Sequence, residues 1–63
     1  MIKHVFNVFL DDYSIHILAN SEEEVMDLCF KCFEYNTMSI EYIKDMYTKS
    51  DFPQFIGDLQ HAS

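Results

Sequence analysis

Cys29-Phe30-Lys31-Cys32 contains both thiols of the chain, in the Cys-x-x-Cys spacing that can lower a thiol pKa. A redox centre of this kind needs its first cysteine exposed at a helix N-terminus. Here the pair falls about two turns into a helical pattern, on its apolar stripe, so two small core residues are expected. Zinc would need two further ligands, and His4, His16 and His61 are scattered without the usual paired spacing. No metal and no cofactor are therefore expected. His4 sits alone on the apolar face of a strand, where a histidine is more often structural than a base. No Ser–His–acid set is visible, and a single glycine, Gly57, leaves little backbone able to cradle a phosphate. No catalytic residues can be named, and the chain does not read as an enzyme.

The acids have more to offer. Eleven Asp and Glu stand against four Lys and no Arg, for a net charge of −7, so the chain is repelled by phosphate backbones and direct nucleic-acid binding is not expected. A protein partner with a basic surface would be attracted instead. Glu23, Asp27 and Glu34, with Lys31 among them, are placed on the solvent side of the main helix, and Glu22 adds to its N-terminal end. Acids one helical turn apart can mimic the spacing of successive phosphates. The same pattern also describes an ordinary solvated helix face, and a net charge of this size also serves solubility.

These side chains need a scaffold, and 63 residues supply one small acidic domain, 1–63, of marginal stability. The apolar start of the chain breaks at Asn7 and Asp11-Asp12, which fits neither a signal peptide nor a membrane span. Two cysteines are too few for a disulfide-stapled secreted domain, so a cytoplasmic location is expected.

Ile2 to Leu10 and Tyr13 to Ala19 read as two strands joined by a tight turn at Asp11-Asp12. That turn sets the register. Leu10 should face Tyr13, Val8 Ile15, Phe6 Ile17 and His4 Ala19, all on a core face, with Val5 opposite Leu18 on the other. Ser21-Glu22-Glu23-Glu24 is a capping box, and Val25, Leu28, Cys29, Cys32 and Phe33 continue it as a helical stripe ending near Asn36. Residues 39–47 alternate as a third strand does, with Ile40, Tyr42, Lys44 and Met46 against Glu41, Ile43, Asp45 and Tyr47. Ile40, Ile43 and Tyr47 would also suit a helix; completing the sheet favours the strand, set beside the first. Ser50, Phe52, Pro53, Phe55, Ile56 and Leu59 suggest a short C-terminal helix. The expected fold class is α+β: a ββαβ three-stranded antiparallel or mixed sheet packed on one helix, with that short helix following.

One helix cannot cover both sheet faces, which leaves Val5, Phe9 and Leu18 as an outer apolar patch. Either the tail folds back over it, or another chain occupies it or a sheet edge.

The run Tyr13-Ser14-Ile15-His16-Ile17-Leu18-Ala19-Asn20-Ser21-Glu22-Glu23-Glu24-Val25 resembles small phage and mobile-element proteins in which a hairpin runs into an Ala-x-Ser-x-Glu-Glu helix start and then a third strand. Over residues 2 to 47 the layout is similar to that of some anti-CRISPR proteins and other host-takeover inhibitors. That resemblance implies a stoichiometric inhibitor acting in the host bacterial cytoplasm on a defence or nucleic-acid-processing protein. Glu22, Glu23, Asp27 and Glu34, with Val5, Phe9 and Leu18, are then the expected partner-binding residues. The second expectation is a structural or regulatory subunit that forms a homodimer through a sheet edge or the apolar patch.

Overall fold

The computed structural model describes residues 1–56. Strands β1 (Ile2–Leu10) and β2 (Tyr13–Ala19) are followed by helix α1 (Glu22–Cys32), strand β3 (Met38–Tyr47) and a short strand β4 (Gln54–Ile56). They form one four-stranded sheet in the order β3-β1-β2-β4, with every neighbouring pair antiparallel. β2 and β3 are consequently parallel, with β1 between them and α1 as their crossover.

The hairpin adopts the register set by its two-residue turn, with Leu10 opposite Tyr13, Val8 opposite Ile15, Phe6 opposite Ile17 and His4 opposite Ala19. Asp11 takes the left-handed conformation, φ 51°, which a short polar side chain tolerates. Its carboxylate accepts from the backbone N–H of Asn36 at 3.0 Å and of Thr37 at 2.9 Å, and from the Thr37 hydroxyl at 3.2 Å. These bonds, backbone N–H donors first, hold the Asp11 carboxyl below its usual pKa. One turn residue thus fixes where the chain leaving α1 must go.

The α1 cap forms as its sequence requires. Ser21 Oγ accepts from Glu24 N–H at 3.3 Å, while Glu24 Oε1 accepts from the N–H of Asn20 at 2.9 Å. The helix ends earlier than Asn36, at Cys32, because Phe33 is extended (φ −133°, ψ 153°) and turns its ring edge-on to Phe55 at 5.7 Å. Val25 and Cys29 are buried and Leu28 partly so, but Cys32 is exposed and leaves the expected core stripe.

α1 packs chiefly on β2. Beneath it Phe6, Val8, Leu10, Ile17, Ala19, Val25 and Cys29 form the core, with Ile15, Leu28, Phe33, Tyr35, Met38 and Ile40 packed around it.

The third strand exists, but its alternation does not run unbroken. The register of β3 against β1 shifts between Val5, opposite Lys44, and Phe6, opposite Tyr42, which leaves Ile43 as the extra residue of a β-bulge. Met38, Ile40, Tyr42, Asp45 and Tyr47 therefore share the inner face, and Ser39, Glu41, Lys44 and Met46 the outer one. Neither of the two alternating sets read from the sequence survives intact.

Gln54–Ile56 is a strand, β4, where a helix was expected, because the free edge of β2 offers it backbone partners: Gln54 pairs with Leu18, Phe55 with Ile17 and Ile56 with His16. The remainder of that expected helix, with Leu59, lies outside the described residues. Between β3 and β4 the chain crosses one end of the sheet. Thr48 exchanges backbone bonds with Met1 at 2.9 Å each way, its hydroxyl reaches Gln54 Oε1 at 3.1 Å, and Ser50 Oγ accepts from Phe52 N–H at 3.1 Å. Ser50 thus organises a turn before Pro53 instead of capping a helix.

Candidate functional site: the outer face of the helix

Glu23 and Asp27 lie on the side of α1 most nearly opposite the buried Val25 and Cys29, since each residue turns the helix by about 100°. Phe30 and Lys31 flank that line on either side, and Met26 and then Glu22 follow beyond Phe30 toward the sheet, all of them exposed. Phe30 is 78% exposed and Met26 49%, one turn apart. The i, i+4 spacing of this apolar pair, on the flank of the helix outside the core stripe, is visible in the sequence. Glu22 and Glu23 carry no ion pair among the described residues, whereas Asp27 Oδ2 lies 3.0 Å from Lys31 Nζ. Glu24 is committed to the cap. Glu34 follows the extended Phe33 and is exposed beyond the end of the helix, so it is not part of the face assigned to it.

The expected patch on the outer sheet face is placed differently again. Val5 and Leu18 are both buried, and only Phe9 keeps a large exposed surface. They lie toward the end of the sheet spanned by the Thr48–Pro53 crossing. Val5 and Leu18 therefore present no surface to a partner. In the same layer Lys3 is 1% exposed, and neither its Nζ nor the Oδ1 of Asn7 has a hydrogen-bond partner among the described residues.

A cluster the sequence did not disclose lies on the inner face, beyond the reach of α1. His4 Nδ1 bonds Asp45 Oδ1, and the Tyr42 hydroxyl donates to the same oxygen at 3.0 Å. His4, Phe6 and Tyr42 meet edge to face at 5.6 to 6.2 Å. The bond from His4, and then that from Tyr42, holds the Asp45 carboxyl below its usual pKa, while the hydrogen bond to Asp45 raises that of Tyr42. An imidazole oriented by a carboxylate resembles a catalytic pair, but here it lies half-exposed on an open sheet face. Its evident effect is to tie β3 to β1.

Cys29 is buried and its thiol pKa is raised, first by burial and then by its electrostatic interaction with Cys32. Among the described residues no three His, Cys, Asp or Glu side chains converge as metal ligands, and no helix is long and apolar enough to cross a membrane. Comparison of the chain with protein-family models, with curated proteins and with solved structures returns no match.

Proposed function

We propose that this protein acts by stoichiometric binding, laying the outer face of α1 against a basic surface on another protein. The observation that carries this reading is Phe30, held 78% exposed on the solvent side of α1 next to Met26 and Asp27, with Glu22 and Glu23 a turn further toward the helix start. A face serving solubility alone gains nothing from a bare phenyl ring. An aromatic anchor ringed by charge is the arrangement that concentrates binding energy when a partner covers it. The acids steer encounter with a cationic surface, and the ring and thioether supply apolar contact once water is displaced.

A basic surface of this sort belongs naturally to a protein that handles nucleic acid. Occupying it would block the nucleic acid, so the bound state is inhibitory without any chemistry. Host defence and nucleic-acid-processing proteins are the class of target, in keeping with the phage-type layout of residues 2 to 47.

The test is affinity capture from bacterial lysate at low salt, run in parallel with the parent chain and with Glu23→Lys/Asp27→Lys. We expect a basic nucleic-acid-handling protein on the parent, released by moderate salt and absent from the variant. Equal retention by both would show that α1 is not the binding surface.

A further inference from the structure

We infer that the free edge of β3 is a self-pairing surface, and that two copies of this chain join there antiparallel about a two-fold axis passing between Tyr42 and Ile43. β3 ends the sheet, and among the described residues no strand bonds its outer side. It is ten residues long, whereas the opposite edge strand has three, so it is by far the longer open edge. A long exposed edge of this kind is a template for another strand.

The bulge selects a second copy as that strand. Because Ile43 is the extra residue, the inner-face positions Met38, Ile40, Tyr42, Asp45 and Tyr47 and the outer-face positions Ser39, Glu41, Lys44 and Met46 fall symmetrically about the Tyr42–Ile43 bond. Running two copies antiparallel about that point sets Met38 opposite Tyr47, Ser39 opposite Met46, Ile40 opposite Asp45 and Glu41 opposite Lys44. Every one of these pairs lies on one face. The two extra residues also meet at the axis, so each strand's excess is matched by the other's and the register holds on both flanks.

Charge favours the same register. Glu41 and Lys44 are both exposed, and the pairing places each opposite its counterion, twice per dimer. Four of the eleven acids that would push two copies apart lie on α1, which packs over β2 on the far side of β1 from this edge. Five strand spacings then separate the two β2 strands, about 24 Å, which is room for two helices of about 10 Å diameter on the same face. Between them Ile2, Tyr42 and Tyr47, all exposed in one copy, lie side by side with those of the second.

Sedimentation equilibrium of the full chain tests this, using the parent and the single variants E41K and K44E. We expect a parent dimer, and a dissociation constant raised about tenfold or more in each single variant, where two like-charge pairs replace two ion pairs. Mixed in equal amounts, the two variants again place unlike charges opposite each other at both positions, and dimerisation should return as a heterodimer. The double variant E41K/K44E, which exchanges the charges within one chain, should dimerise like the parent and guards against a single variant that merely misfolds. A parent that stays monomeric at millimolar concentration overturns the proposal. So does a dimer that neither single variant weakens, or one that is weakened but restored by neither the mixture nor the double variant.

Discussion

The two halves of the inner sheet face are held together in different ways. Over β2 the face is closed by α1, and Val8, Leu10, Ile17, Ala19, Val25 and Cys29 have no solvent exposure. Beyond β1 no helix among the described residues covers it. There Tyr42 and Tyr47 remain more than half exposed, and β3 is secured by its backbone ladder and by the His4–Asp45–Tyr42 bonds. A helix about 10 Å wide cannot roof four strands spaced about 4.8 Å apart. One half of the face is therefore core, and the other is available as surface.

That contrast can be broken most sharply by truncation. Ile17→Ala, under the helix, should cost about 2–5 kcal/mol, enough to unfold much of a domain this small, whereas Tyr47→Ala on the open half should stay within about 0.5 kcal/mol. Urea midpoints for the two variants measure the difference directly. Equal losses would mean that the open half is packed after all.

A gain is expected on the opposite side of the sheet. Lys3 is fully buried with its amine unpartnered among the described residues, so Lys3→Met keeps the volume and removes the desolvated charge. Stability should rise by about 1–3 kcal/mol, read from the same unfolding curves. A smaller loss, about 1 kcal/mol, is expected for Ser21→Ala, which deletes the cap that starts the covering helix.

The polar ties should show themselves as a pH dependence. Asp11 and Asp45 have folded pKa values below the ordinary 3.8, so their contribution is complete above that value and is lost as pH falls through the lower folded values. Asp11→Asn and Asp45→Asn should each flatten the acid limb of the urea midpoint, with no change in its slope above pH 5. Of the two, Asp45→Asn should loosen β3 selectively, raising hydrogen exchange in β3 before β2.

The covered half was also the legible half. Strict alternation and a two-residue turn determine the hairpin register, and Ser21 with Glu24 determines the helix start, because each signal is complete within a few residues. What the sequence did not disclose depends on partners distant in the chain. The helix stops at Cys32 because Phe33 turns to Phe55 in the last strand and Asp11 tethers Asn36 and Thr37. Phe52, Phe55 and Ile56 have helical spacing, yet residues 54–56 become β4 because the edge of β2 was open. His4 and Asp45 are 41 residues apart, and Tyr42 reaches the same carboxylate only because the bulge at Ile43 brings residues three apart onto one face. The candidate site was half visible. Glu22, Glu23 and Asp27 follow from the helix pattern, but Glu34 falls past the true helix end, Val5 and Leu18 are buried, and Phe30 was passed over inside the Cys-x-x-Cys motif.

The most direct measurement is the affinity of the Phe30→Ala variant for the basic protein that the parent captures, set beside its urea midpoint. Phe30 is largely outside the core, so we expect the midpoint to stay within about 0.5 kcal/mol of the parent and the affinity to fall tenfold or more. Unchanged affinity with unchanged stability would contradict the claim that the outer face of α1 is where this protein works.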